Sequence, residues 1–202
     1  MMLLSSDITT DMKRLEELIV ETGAFRYSPD KPFRLASGRL SDYYFDLKRL
    51  NGHPEGINIV AKVLYHKIKT MNGVTSVGGL VAGSISIATA ISQLSYLEHI
   101  NNPENPVISS FFVRKQAKEH GSGQQIEGII DSPVVVVDDV ITSGDSAIQA
   151  AKAVQEKDYE CRHLLSIVFR GTDEQEEKIN KISKFDYLFT EKELVAKFTK
   201  NL

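Results

Sequence analysis

A continuous run of one proline and four valines, Pro133–Val137, constrains the fold of this chain more than any other segment. Runs of β-branched residues are typical of a strand that is buried on both faces, as in a parallel sheet. Further strands are predicted at Val74–Leu80, Val107–Val113 and His163–Phe169, and helical periodicity over Pro54–Lys69 precedes them. Strands that alternate with helices predict an α/β fold with a mostly parallel central sheet, flanked by helices and joined by right-handed crossovers.

The same alternation extends towards both ends of the chain. Further helices are predicted at Met12–Val20, Ile85–Leu94, Asp145–Lys157, Glu174–Ile182 and Glu191–Thr199, and short strands at Phe33–Leu35, Tyr43–Leu47 and Tyr187–Phe189. The length of 202 residues suits a single domain, 1–202, that buries its own core.

Composition argues against several classes of protein. The net charge of −3 disfavours a protein that coats nucleic acid, because such proteins usually carry a basic excess. Neither an apolar run of about 18 residues nor a signal peptide is seen, so no membrane partner is expected. Cys161 is the only cysteine, which excludes an intrachain disulfide and makes a reducing cytoplasm the simplest setting.

The residues that follow the valine run carry the strongest chemical signal. Asp138 and Asp139 come directly after the predicted strand, and the hydroxyl- and glycine-rich turn Thr142–Ser146 opens the next helix. Backbone N–H groups at such a turn favour a phosphate, whereas the two carboxylates suit sugar hydroxyls. The alternative is an ordinary strand-to-helix turn in which Asp or Ser caps the helix.

The whole segment Val134–Ser146 resembles the phosphoribosyl-pyrophosphate (PRPP) binding motif of the type I phosphoribosyltransferases. That motif is an apolar strand, two acids and a Thr-x-Gly-x-Ser/Thr turn. The resemblance implies PRPP contacts from Asp138, Asp139, Val140, Ile141, Thr142, Ser143, Gly144, Asp145 and Ser146. In that interpretation both acids hold the ribose hydroxyls and Asp139 also stabilises the cationic sugar.

A second segment, Arg114–Gly128, indicates which family of type I phosphoribosyltransferases the chain resembles. Taken alone, it is a charged loop of the kind that usually faces solvent, although its cations suit a departing diphosphate. The pattern Arg-Lys-x-x-Lys-x-His-Gly followed by Ile-Glu-Gly resembles the catalytic loop of orotate phosphoribosyltransferases. It implies catalytic and PRPP-binding roles for Arg114, Lys115, Lys118 and His120.

Two further segments resemble the same family but depart from it in detail. Phe33–Asp46 is similar to its orotate-side segment and implies orotate contacts from Tyr44 and Phe45; Ala36 stands where many members carry Lys. Its alternative is a plain aromatic hairpin. Gly79–Ala88 is similar to its diphosphate loop, with Ser86 at a position that is often Pro. The resemblance implies PRPP contacts from Val81, Ala82, Gly83 and Ser84.

Arg170 follows the strand that ends at Phe169, where the family often has Asp before the Arg. The resemblance implies that Arg170 and Thr142 contact orotate; without it, a surface Arg on a loop is equally plausible. It also implies a small hood formed by residues before about 50 together with residues 185–202.

The resemblance as a whole implies an enzyme of de novo pyrimidine (UMP) biosynthesis. Orotate and PRPP would give orotidine 5′-monophosphate and diphosphate, with Mg²⁺ held mainly by PRPP near Asp138 and Asp139. It further implies a homodimer in which the catalytic loop acts in trans. The alternatives are transfer to another base and a non-catalytic PRPP sensor that regulates transcription.

Overall fold

The computed structural model describes residues 7–34, 38, 40–116 and 124–200. Seven helices are found in these ranges: α1 (Ile8–Glu21), α2 (Leu47–Asn51), α3 (Pro54–Lys69), α4 (Gly83–Asn101), α5 (Asp145–Gln155), α6 (Asp173–Asn180) and α7 (Glu191–Thr199). Ten strands are found there too: β1 (Phe25–Tyr27), β2 (Phe33–Arg34), β3 (Leu40–Ser41), β4 (Tyr43–Phe45), β5 (Ser76–Gly78), β6 (Ser109–Val113), β7 (Ile126–Gly128), β8 (Val134–Ile141), β9 (Cys161–Phe169) and β10 (Lys184–Thr190).

Six strands form the central sheet in the order β10-β9-β8-β5-β6-β7. All neighbours are parallel except β6 and β7, which pair antiparallel at one edge. The prediction of a mostly parallel sheet flanked by helices is therefore confirmed. β8 lies inside the sheet between β5 and β9, so the valine run forms one of its central strands.

The valines face two separate hydrophobic cores. Val135 and Val137 belong to the core under α1, α3 and α4, and Val134 and Val136 belong to the core under α5 and α6. All four are at most 1% exposed. This two-sided burial explains why the strand is apolar at every position rather than at every second one.

Helix bounds follow local capping chemistry. α3 runs over Pro54–Lys69 as predicted, with Pro at its start and the His53 side chain accepting a hydrogen bond from the Gly56 N–H at 3.2 Å. α7 begins at Glu191 as predicted, behind a capping box in which Thr190 and Glu193 exchange hydrogen bonds.

Several short elements differ from the prediction. β1, β3 and β7 have two or three residues each, too few to show a periodic pattern, and the sequence did not indicate them. The strand predicted at Tyr43–Leu47 ends at Phe45, and Leu47 begins α2. β8 continues to Ile141, so Asp138 and Asp139 lie within the strand instead of after it.

The N-terminal segment packs against the C-terminal helix. β1 pairs with β4, and the ring of Phe25 lies 5.1 Å from the ring of Phe198 on α7. Strand 184–190, which the predicted hood includes, is paired with β9 and forms an edge of the central sheet. No helix in the described ranges is long and apolar enough to cross a membrane.

Candidate functional site

Four segments singled out by the sequence follow parallel strands of the sheet and therefore meet at its carboxyl edge. The small-residue loop Leu80–Ser84 follows β5, Arg114 follows β6, the turn Thr142–Ser146 follows β8, and Arg170 follows β9. Backbone hydrogen bonds join neighbouring segments, with the Val81 N–H donating to the Val113 carbonyl and the Arg170 N–H to the Ile141 carbonyl. The sheet thus collects these segments from across the sequence.

The carboxylates of Asp138 and Asp139 converge on Gly83. A Cβ atom at Gly83 would lie 2.6 Å from Asp138 Oδ1 and 3.2 Å from Asp139 Oδ1. Each Oδ1 accepts a hydrogen bond from the next backbone N–H, at 2.9 and 2.8 Å. These bonds hold both side chains against the loop, although consecutive residues of a strand ordinarily point to opposite faces.

Burial changes the protonation equilibrium of Asp138. Burial of the carboxyl group, followed by the charge of Asp139, raises the pKa of Asp138 above its ordinary value. Lys48, exposed on α2, acts in the opposite direction by electrostatic attraction. The ionised form of Asp138 is therefore disfavoured, and a cationic or hydroxyl-bearing ligand beside the two acids would stabilise it.

The loop beside the acids presents backbone more than side chains. The Ser84 hydroxyl is fully buried and donates to the Leu80 carbonyl at 2.9 Å. The Val81 N–H is engaged by the Val113 carbonyl, and no side chain caps the first turn of α4. The backbone N–H groups of Ala82–Ser84 are therefore the groups of this loop that suit an anion.

The turn after β8 encloses a small polar cavity. Its volume is about 60 Å³, and its lining includes every residue from Ile141 to Ser146. A small polar space lined by backbone N–H groups and hydroxyls suits a compact anionic group such as a phosphate. Gly144 has φ +80°, and a Cβ there would lie 2.4 Å from Ile179 Cγ1, so both backbone and packing require glycine.

Asp145 lines the cavity, and two neighbouring side chains engage its carboxylate. Its carboxylate accepts hydrogen bonds from Lys178 Nζ and from Ser143 Oγ, both at 2.7 Å. These contacts lower the pKa of Asp145, chiefly through Lys178. The carboxylate is thereby neutralised locally, which reduces its repulsion towards a phosphate.

The described part of the predicted catalytic loop is its base. The Arg114 N–H donates to the Gln125 carbonyl at 2.9 Å, and the Arg114 side chain pairs with Glu127. The Lys115 carbonyl accepts a hydrogen bond of 2.9 Å from Gln149 on α5. Lys118 and His120, together with Ala36 of the orotate-side segment, lie outside the described residues.

The structure separates the two aromatic residues of the predicted orotate site. The Arg170 guanidinium lies 5.7 Å from the centre of the Phe45 ring, so these two candidates meet. Tyr44 contacts Phe33 and Arg26 instead, at 5.7 and 5.1 Å, because neighbours on β4 face opposite sides. Thr142 is also close to Arg170. A Cβ atom at Gly171, the next residue after Arg170, would lie 2.7 Å from the carbonyl oxygen of Thr142.

Sequence reasoning missed three residues near the site: Lys48, Gln149 and Glu191. Gln149 and Lys48 lie on helices and belong to no motif. Glu191 accepts a hydrogen bond from Arg170 Nε at 2.5 Å. The one signal for Glu191 is its position as the first residue of the last predicted helix, shortly after a predicted strand; parallel pairing of β9 and β10 brings it beside Arg170.

The acids can take part in a metal site but cannot build one alone. Within the described ranges, no group of three or more His, Cys, Asp or Glu residues could hold a metal ion. Two adjacent carboxylates suit Mg²⁺ when phosphate oxygens and water supply the remaining ligands. The residues present therefore fit a magnesium ion that arrives with a diphosphate.

No family model matches the chain, but individual proteins do. An orotate phosphoribosyltransferase of Aquifex aeolicus (strain VF5) is 37% identical over 154 residues, 75% of this chain and 80% of the relative. One of Rhodopseudomonas palustris (strain TIE-1) is 43% identical over 142 residues, 67% of this chain and 72% of the relative.

Solved structures agree with these relatives. Orotate phosphoribosyltransferase of Mycobacterium tuberculosis H37Rv, in complex with Fe(III) dicitrate, matches with a TM-score of 0.71 and 30% identity, over 91% of this chain and 98% of that one. The same enzyme in complex with PRPP matches with a TM-score of 0.66 and 26% identity, over 92% of both chains.

A purine enzyme is similar at the level of the fold alone. Adenine phosphoribosyltransferase of Leishmania donovani matches with a TM-score of 0.57 at 20% identity. This likeness is one of fold, whereas the orotate phosphoribosyltransferases of A. aeolicus and R. palustris are 37% and 43% identical to this chain over the aligned residues. Because relatives at 37% and 43% identity match at least two thirds of the chain, the chain is a phosphoribosyltransferase that belongs to the orotate phosphoribosyltransferase family.

Proposed function

We propose that this chain transfers the 5-phosphoribosyl group of PRPP to orotate, which yields orotidine 5′-monophosphate and diphosphate in pyrimidine biosynthesis. The observation that carries the proposal is the convergence of the acids Asp138 and Asp139 on Gly83. In this proposal the two acids bind the ribose hydroxyls beside a loop whose backbone suits a diphosphate. The phosphate-sized cavity of Thr142–Ser146 continues the same edge.

Each part of PRPP has a complementary group in this arrangement. The 5′-phosphate occupies the cavity at the start of α5, and the ribose hydroxyls donate to the carboxylates of Asp138 and Asp139. The diphosphate lies along the backbone of Val81–Ser84. The side chains of Arg114, Lys115, Lys118 and His120 approach it from the catalytic loop.

The chemistry requires charge stabilisation more than proton transfer. Orotate is already an anion, whereas cleavage of the bond from C1′ to oxygen creates a cationic sugar and a highly charged leaving group. Asp139 stabilises the sugar, the loop cations stabilise the diphosphate, and Lys118 or His120 donates a hydrogen bond or proton to it. Closure of the loop excludes water that would hydrolyse the activated sugar.

Magnesium is part of the proposal. Asp138 and Asp139 would contribute ligands on the protein side, together with oxygens of PRPP and water. When bound, Mg²⁺ neutralises charge on the diphosphate. Orotate itself binds through Arg170, Phe45 and Thr142, and Tyr44 belongs to the opposite face of β4 in this structure.

A spectrophotometric assay tests the reaction directly. Purified protein with Mg²⁺ and PRPP should consume orotate and should leave uracil and hypoxanthine unchanged. Omission of Mg²⁺ should abolish turnover. Turnover of hypoxanthine or uracil would favour the other-base alternative. Binding of PRPP without turnover of any of the three would favour the sensor alternative.

The apolar face of α4 supports a homodimer. Three large apolar side chains of this helix, Tyr96, Leu97 and Ile100, remain 57%, 47% and 60% exposed. Exposed apolar side chains that lie close together mark a surface suited to a partner. α4 also begins at Gly83, so a second copy seated on it would extend along a helix that starts at the acids. A cytoplasmic location remains part of the same proposal.

Complementation tests whether the loop acts in trans. Lys118→Ala removes a loop cation and Asp139→Ala removes an acid, so each homodimer should be inactive. In a random mixture half of the dimers carry one intact site, which predicts recovery of about a quarter of wild-type activity. Ile100→Glu in both chains should abolish recovery, because a charge on the α4 face prevents association. A dimeric mixture that stays inactive would show that each chain uses its own loop.

A further inference from the structure

The guanidinium of Arg170 is held at two places, by Glu191, which belongs to no sequence motif, and by Phe45 of the orotate-side segment. Its Nε donates to Glu191 Oε1 at 2.5 Å, and its central carbon lies 5.7 Å from the centre of the Phe45 ring. The Arg170 and Glu191 side chains are both only 20% exposed. Because this pair is largely shielded from solvent, its charge-assisted hydrogen bond holds the Arg170 side chain in one orientation.

Sheet register explains why these two residues meet. β9 and β10 are parallel, and Phe169 is paired with Thr190. The next residue on each strand, Arg170 and Glu191, therefore leaves the sheet side by side. The capping box formed by Thr190 and Glu193 then fixes the first turn of α7 and, with it, the backbone of Glu191.

The hydrogen bond uses one particular edge of the guanidinium. Glu191 takes the Nε–H, and within the described ranges no other hydrogen bond to this guanidinium is seen. Arginine binds carboxylates best when two parallel N–H groups point at the two oxygens. With Nε held and one face against Phe45, the edge formed by the two Nη atoms is the one left for such a bidentate contact.

We propose that Glu191 is a positioning residue of the orotate site: it acts through Arg170, which it orients so that the Nη edge meets the orotate carboxylate. This inference rests on the proposed function.

Kinetics of four proteins test the inference: the wild type, Glu191→Ala, Glu191→Gln and Glu193→Gln. Glu191→Ala should raise KM for orotate about tenfold, equivalent to about 1.4 kcal/mol, and should leave KM for PRPP within about twofold of wild type. Glu191→Gln should remain close to wild type, because the amide oxygen still accepts from Nε. Glu193→Gln removes a carboxylate from the same helical turn but keeps an amide oxygen that completes the capping box, so both KM values should stay close to wild type.

The outcomes separate this inference from the proposed function. No turnover of orotate by the wild type would overturn both. An active wild type with an unchanged or lower KM for orotate in Glu191→Ala would overturn the positioning role alone. The same holds if both KM values rise together, or if Glu193→Gln reproduces the effect, because either result would mean that α7 acts only by supporting the fold.

Discussion

Gly83→Ala is expected to reduce the rate of PRPP turnover by roughly 100-fold, the size of loss that follows a misplacement of about 1 Å in a site. The added methyl group would lie 2.6 Å from Asp138 Oδ1, so carboxylate and loop have to separate. Stability should change little or rise, because Gly83 begins α4 and alanine is the better helix former. Steady-state kinetics and thermal unfolding of the same preparation measure the two effects.

Ser86→Ala is the matched control for this substitution. Ser86 lies in the same first turn of α4 and is exposed, so alanine there removes a hydroxyl without approaching the acids. Its activity should stay within about twofold of wild type, in the range of surface substitutions away from special features. A Gly83→Ala enzyme that turns over PRPP at the wild-type rate would mean that the acids need not meet this loop.

Asp138→Asn is expected to lower the rate of turnover about 10- to 100-fold, since a hydrogen bond to a charged group contributes about 1.5–3 kcal/mol. The same change should raise the melting temperature of the empty enzyme at neutral pH. Ionisation of this buried carboxylate beside a second acid costs free energy in the folded protein, and the uncharged amide removes that cost. Activity and stability therefore move in opposite directions at one residue.

The pH dependence of the stability difference follows from the direction of the pKa shift. The pKa of Asp138 is higher in the folded chain than the ordinary value of 3.8, so the folded state binds more protons above that pH. Wild-type stability relative to Asp138→Asn should then fall as pH rises through the interval between the two pKa values, and the gap should close near pH 4. Thermal unfolding at a series of pH values measures the gap.

Asp145→Asn should change the stability of the fold in the opposite direction from Asp138→Asn. The pKa of Asp145 is lowered by Lys178 and Ser143, so the carboxylate stabilises the fold above its ordinary pKa and the amide should destabilise it slightly at neutral pH. Equal pH profiles for the two variants would contradict the assignment of repulsion to Asp138 and attraction to Asp145.

The central sheet was predictable because its signals are long and physically simple. Four valines that serve two cores leave few alternatives to a central parallel strand, and Pro54–Lys69 has both a helical period and a proline at its start. The short strands β1 and β7 depend on pairing with partners elsewhere in the chain, and two or three residues carry no period of their own. Tertiary contacts decide such elements.

The motifs of the candidate site were predictable from the sequence, but the positions of their side chains relative to one another were less so. The sequence placed Asp138 and Asp139 after a strand, whereas both lie within it and still point at one glycine. The convergence depends on each carboxylate accepting a hydrogen bond from the N–H group of the next residue. The spacing of residues in a sequence does not predict such a bond. Glu191 was missed because its partner lies 21 residues away and only strand register joins them.

The two-sided burial of β8 has a consequence for how this enzyme adapts. Val135 and Val137 contact one core, Val134 and Val136 contact the other, and the same backbone carries both carboxylates. A substitution that loosens either half of the protein is therefore transmitted to the acids by the strand that both halves share. Stability and turnover are therefore coupled for substitutions in the two cores beside β8, because the strand that separates the cores also carries both acids.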